Sequence, residues 1–92
     1  MNKKKPFEWD ENKRKSNLKK HSIDFEDAIL VFEDKMRVEA LSPKNNEERY
    51  ITFGMVNEIV LAVVYTLRNN VKRIISARVA HEDERSIYYS QE

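Results

Sequence analysis

Cysteine is absent from the sequence, which excludes disulfides, thiolate metal ligands and a thiol nucleophile. The only histidines are His21 and His81, so a His-rich metal site is not expected, and no cofactor is expected either. Catalysis would have to use oxygen, imidazole, guanidinium or ammonium groups. One glycine and two prolines among 92 residues leave no room for a flexible linker. A chain of this size supports one core, so residues 1–92 are read as a single domain. No run approaches the roughly 18 apolar residues of a membrane span. The opening Met1-Asn2-Lys3-Lys4-Lys5-Pro6 has no apolar stretch of signal-peptide kind, so a cytoplasmic protein is expected.

What the chain has in quantity is charge: 36% of residues are Asp, Glu, Lys or Arg, against 40% hydrophobic. The net charge of +1 conceals an uneven distribution. Residues 1–21 carry eight basic and three acidic side chains, residues 22–49 four and eight, residues 50–80 four and one, and residues 81–92 one and four. Polyanions respond to local rather than total charge. The two basic segments are either solvated faces or surfaces that converge on nucleic acid, with the acidic segments free to meet a basic partner.

Residues 10–21 are rich in helix formers, with Asp10 placed as N-cap and Lys19, Lys20 and His21 at the cation-favouring end. Its apolar content is slight, so Phe7 and Trp9 are expected to anchor its entrance. Phe25, Ala28, Ile29 and Phe32 follow the i, i+3, i+4, i+7 spacing of a second helix, with Asp24 as N-cap. After Glu33-Asp34 the period becomes alternating, and strands are expected at Met36–Ala40, Glu48–Phe53 (ended by Gly54), Ile59–Thr66 and Val71–Arg78. Ile59–Thr66 is apolar on both faces, as a covered central strand is. Asn69-Asn70 marks a hairpin turn, and Ala80, Glu84, Ile87 and Tyr88 lie along one stripe of a last helix. The expected fold is α+β: two N-terminal helices, a four-stranded antiparallel meander and a C-terminal helix.

A two-residue loop at Asn69-Asn70 pairs Arg68 with Val71, Thr66 with Arg73, Tyr65 with Ile74 and Val63 with Ser76. Alternation then places Tyr65, Ser76 and Arg78 on one face and Thr66, Arg68 and Arg73 on the other. A loop one residue longer reverses this grouping. Arg49 can join either face, because its register is open.

Two stretches carry a resemblance. The first is Phe7-Glu8-Trp9-Asp10 with Asn17, Lys20-His21, Phe25 and Ala28; the second is Glu48-Arg49, Gly54, Val64-Tyr65-Thr66, Arg68, Arg73 to Arg78, Ala80, Glu84-Arg85 and Tyr88. Together they resemble the BrnT family of ribonuclease toxins over roughly residues 7–88. The resemblance implies a RelE-like fold, RNA cleavage, and neutralisation by a cognate BrnA-like antitoxin. That antitoxin carries a ribbon-helix-helix DNA-binding part, through which the heteromeric complex represses its own promoter. The sequence departs from the family pattern at Val79, where lysine is common, and at His81, where serine or threonine often caps the last helix.

Metal-free RNA cleavage uses the substrate's own 2′-hydroxyl as nucleophile, so the protein must move protons and stabilise charge on the phosphoryl oxygens. Arginine suits the second task because its planar fork holds two phosphate oxygens. Arg78 and Arg49 are the first candidates for phosphate stabilisation, with Arg68 and Arg73 as further RNA contacts; each can equally be an exposed strand charge. Glu48 is either a general base or a partner of Arg49, and Tyr65 either a catalytic hydroxyl or core. His21 has the intrinsic chemistry of an acid–base group but stands where a helix C-terminal cap would. Lys13 and Lys20 read as contacts to the RNA backbone, and Trp9 as a core anchor or a base-stacking platform. The functional readings are a growth-inhibiting, translation-inhibiting endoribonuclease, a non-catalytic binding module using the same basic face, and a degenerate toxin weakened at Val79 and His81.

Overall fold

A computed structural model describes residues 6–42 and 47–91. Strand β1 (Phe7–Trp9) leads into helix α1 (Glu11–His21), the short helix α2 (Phe25–Ala28) and a 3-10 turn over Ile29–Glu33. Strands β2 (Val38–Leu41), β3 (Tyr50–Val56), β4 (Ile59–Arg68) and β5 (Val71–Val79) follow, then helix α3 (Glu82–Tyr89). The strands form one five-stranded sheet in the order β1-β5-β4-β3-β2, with β1 parallel to β5 and the other pairs antiparallel. The expected α+β class holds, but the sheet is mixed and has a fifth strand at the position expected to be only a helix entrance.

Local chemistry explains the element boundaries. The Asp10 carboxylate accepts from the Asn12 and Lys13 N–H groups at 2.8 and 3.2 Å, and that of Asp24 from Glu26 N–H at 2.9 Å, so both expected N-caps form. The second helix is shorter than its apolar pattern suggests, tightening into the 3-10 turn after one α-turn. Its tightening seats Val31 against Gly54, where an added Cβ would lie 3.1 Å from the Val31 Cβ and 3.2 Å from its carbonyl oxygen. Gly54 therefore does not end β3, as the sequence suggests; it lies within the strand and admits the 3-10 turn. Both tight hairpins use left-handed pairs, Asn57-Glu58 (φ 52° and 69°) and Asn69-Asn70 (φ 54° and 68°), the backbone of a two-residue turn matched to strand twist. The loop expected over Ser42–Asn46 lies outside the described residues except at Ser42.

The β4–β5 register is as expected from Arg68↔Val71 to Tyr65↔Ile74, but Val64 then pairs with Ser76 and Val63 with Ala77. Ile75 is thus an extra residue, a bulge that reverses which face every later β5 side chain occupies. Burial agrees: Ile74 and Ala77, three positions apart, both enter the same core at 1% and 0% exposure. That core lies under α1, α2 and the 3-10 turn and contains Phe25, Val31, Val63 and Tyr65, with Phe7 and Trp9 packed against it. A second, smaller core of Phe53, Val60, Ala62, Ala80 and Tyr88 lies on the opposite face beneath α3.

Asn17 links helix to sheet. Its amide donates to the Ala77 carbonyl at 2.8 Å and to that of Ile23 at 3.0 Å, while its carbonyl accepts from Ala77 N–H at 3.2 Å. β1 pairs with β5 only as far as Ile74, so this buried side chain satisfies edge groups that β1 stops short of. No helix among the described residues is long and apolar enough to cross a membrane.

Candidate functional site

The bulge decides which candidate residues meet. Before it, Arg73 shares a face with Thr66, opposite which it pairs; after it, Arg78 pairs with Ala62 and so falls on that same face. The expected separation of Arg78 from Arg68 and Arg73 is therefore incorrect, and so is the grouping of Tyr65 with Ser76 and Arg78. Arg49 joins the arginine face as well, since the Glu47 carboxylate lies 3.6 Å from Arg49 and 3.5 Å from Arg68. Four arginines from three segments, with Ser76 between two of them, thus line the face that α3 covers only at one end.

Glu48 and Tyr65 lie on the other side of the sheet. Tyr65 is buried and donates its hydroxyl to Glu39 at 2.7 Å, stacks on Tyr50 and meets Phe32 edge-on. Burial and then the Glu39 carboxylate raise its hydroxyl pKa far above the ordinary tyrosine value. Glu48 accepts from the Tyr50 hydroxyl at 3.2 Å, and its charge pushes the Tyr50 pKa up. Arg37, bonded to Glu39 at 2.8 Å and lying over the Phe32 ring, completes this network. These groups tie β2, β3 and β4 together, away from the arginines. Trp9 packs edge-on against Phe25 at 5.9 Å, which is the anchoring role.

Each arginine of the open face has an acidic neighbour. Arg73 pairs with Glu8 of β1 at 3.1 Å, a contact that exists because β1 lies beside β5. Arg78 makes a two-pronged pair with Glu84, Nη1 to Oε1 at 2.7 Å and Nη2 to Oε2 at 2.9 Å. The Arg78 guanidinium draws the Glu84 carboxyl down to a pKa of about 2. The same carboxylate accepts from His81 N–H at 2.8 Å, so α3 starts securely although histidine stands where a better cap is usual. Sequence reasoning did not single out Glu84 as the partner that orients Arg78. The available signal was its place in the first turn of a helix beginning immediately after that strand.

The two lysines contrast with the arginines. Lys13 and Lys20 are exposed and have no ion-pair partner among the described residues. They project from the α1 face that packs on β5, where a groove of about 200 Å³ is lined by Lys13, Ser16, Lys20, His21 and Ser76. Asn17, pinned to Ala77 at the middle of this face, fixes the groove's geometry. Ser76 and Arg78 are two positions apart on one face, about 7 Å along the strand. Ser76, at the edge of β5, is therefore the residue that the groove shares with the arginine face, which lies across the sheet from α1. Among the described residues no three His, Asp or Glu side chains are placed to share a metal ion.

This surface offers a row of cations, one imidazole and two serine hydroxyls, which suits binding to successive phosphates of a single strand. Residues 9–84 match the family model described as the ribonuclease toxin, BrnT, of type II toxin–antitoxin systems. No curated protein matches the sequence.

Proposed function

Because the chain belongs to the BrnT family of ribonuclease toxins of type II toxin–antitoxin systems, we propose that it is a metal-independent endoribonuclease cutting at the α1–β5 groove and adjoining arginine face. The observation that carries this placement is the Ile75 bulge, which puts Ser76 and Arg78 on the face of Arg73, while Ser76 also lines the groove of Lys13 and Lys20. The family membership implies RNA as substrate and an antitoxin as partner.

In the proposed reaction the ribose 2′-hydroxyl attacks the adjacent phosphorus, and the protein's work is to hold the strand and stabilise the more highly charged transition state. Arg78 takes the phosphoryl oxygens. Its fork to Glu84 fixes the guanidinium plane, a second Nη1–H reaches the Val79 carbonyl at 3.5 Å, and of the five N–H groups of a guanidinium Nε–H and one Nη2–H stay free. Lys13 and Lys20 hold neighbouring phosphates in the groove, and Arg73, Arg68 and Arg49 extend the track across the sheet. Glu48 and Tyr65 have no part in this reading, because the sheet separates them from the arginines, neither lines the groove, and their side chains are bonded to Tyr50 and Glu39.

Cleavage of RNA in the cytoplasm would inhibit translation and arrest growth. The reading extends to a RelE-like toxin neutralised by a BrnA-like ribbon-helix-helix antitoxin, which covers the basic groove and forms a heteromeric complex repressing its own promoter. Incubating the purified chain with RNA in excess EDTA tests the activity. Cleavage is expected, and Arg78→Ala should slow it by roughly 100- to 1000-fold, the usual cost of one transition-state donor. Intact RNA would contradict the enzyme reading, and undiminished cutting by the variant would contradict the site. Growth arrest on induction, reversed by co-expressing the adjacent open reading frame, tests the antitoxin.

A further inference from the structure

The arginines and lysines stabilise charge but are poor proton acceptors near neutral pH, so the cutting surface still needs a base. We propose that His21 is that base, taking the proton of the attacking 2′-hydroxyl in the groove between α1 and β5. This inference rests on the ribonuclease reading above.

Three observations place it there. His21 is half-buried and lines the groove with Lys13, Lys20 and Ser76. It stands one helical turn beyond Asn17, whose bonds to Ala77 fix α1 against the strand, while Lys13 stands one turn before. The groove is therefore a rigid construction with a cation at one end and an imidazole at the other. Finally, the imidazole is not used as the helix cap. Ser22, in the left-handed conformation at φ 62°, closes α1 by donating its N–H to the Leu18 carbonyl at 2.8 Å. His21's ring makes no hydrogen bond among the described residues, which leaves it available to a ligand. At about 200 Å³ the groove is smaller than a typical small-molecule site. It suits one phosphate and its ribose as part of a longer strand.

The step balances without a co-reactant beyond water. The 2′ O–H bond breaks with its proton passing to the imidazole, the O2′–P bond forms, and the P–O5′ bond breaks. The departing 5′ oxygen takes a proton from solvent, and the imidazolium later returns its own to solvent. The products are a 2′,3′-cyclic phosphate and a 5′-hydroxyl. The charged groups lining the groove with His21 are Lys13 and Lys20 of α1; β5 contributes Ile75 and the uncharged Ser76, with Arg73 and Arg78 beyond them on that strand, and α2 contributes none.

Single-turnover cleavage of a short RNA should be followed against pH for the wild type, His21→Gln and His21→Ala, each checked for folding by its melting temperature. The wild type should show an acid limb in which rate falls as the base is protonated. His21→Gln should cut about 100- to 10,000-fold more slowly, the range for loss of a general base, with that limb gone and RNA affinity changed less than threefold. Added free imidazole should partly restore His21→Ala. A folded His21→Gln that cuts within threefold of wild type, or keeps the same acid limb, would overturn the assignment while leaving the ribonuclease reading intact. A wild type that leaves RNA whole would instead remove both.

Discussion

Asn17 makes both missing backbone bonds of Ala77 from a side chain 60 residues away, donating to its carbonyl at 2.8 Å and accepting from its N–H at 3.2 Å. This is a structural bond with a functional consequence, because it sets how close α1 comes to the strand that carries Ser76 and Arg78. Asn17→Ala leaves a buried donor and acceptor unpaired, at about 1–3 kcal/mol. For a domain of this size that is a fall of roughly 4–20 °C in melting temperature. Thermal unfolding that stays within 1–2 °C of wild type, on the order of experimental scatter, would show the bond to be dispensable.

Glu84 gives the clearest pH dependence. The Arg78 fork holds its carboxyl near 2, below the ordinary value of 4.5, so the folded state binds that proton less readily than the unfolded chain. Its stabilisation is complete above about 4.5 and is lost as pH falls toward 2. With a side chain only 14% exposed, the contribution is on the order of 3 kcal/mol. Glu84→Gln should destabilise the protein at pH 7 and flatten the acid branch between those values. Denaturant midpoints measured at several pH values check this, and parallel curves for the two proteins would contradict it.

Tyr65→Phe and Glu48→Gln should leave RNA cleavage within about twofold of wild type, since both groups lie across the sheet from the arginines and neither lines the groove between α1 and β5. Tyr65→Phe removes the bond to Glu39 and should cost about 1 kcal/mol of stability. A large loss of cleavage rate in either folded variant would show that the two faces are functionally connected.

Gly54→Ala should destabilise by about 1–3 kcal/mol, because the new methyl meets Val31 at 3.1 and 3.2 Å. Neither contact is to a flexible chain end that can move aside. A denaturant titration with an unchanged midpoint would mean the 3-10 turn shifts freely.

The parts legible in the sequence were those encoded by neighbouring residues. Asp10 and Asp24 announce their helices because a cap acts within three residues, and Asn69-Asn70 announces its hairpin because asparagine tolerates positive φ. The central strand stands out as an apolar run. What stayed hidden depends on distant pairing. Phe7-Glu8-Trp9 is too short to display a period, and becomes a strand only by lying against β5. Nothing in Arg73-Ile74-Ile75-Ser76-Ala77-Arg78 marks Ile75 as a bulge, because an isoleucine fits a regular strand equally well. That single residue reversed the grouping of the candidate site, joining Arg78 to Arg73 and removing Tyr65. Lys13 and Lys20 were legible as cations of one helix, but their convergence with Ser76 required the docking of α1.

The most direct test of the central claim is the chemistry of the RNA ends produced in excess EDTA. Attack by the 2′-hydroxyl predicts 2′,3′-cyclic phosphate and 5′-hydroxyl termini, and no cleavage at a position where one 2′-hydroxyl is replaced by hydrogen. Fragments ending in 3′-hydroxyl and 5′-phosphate, or equal cutting at the substituted position, would contradict it.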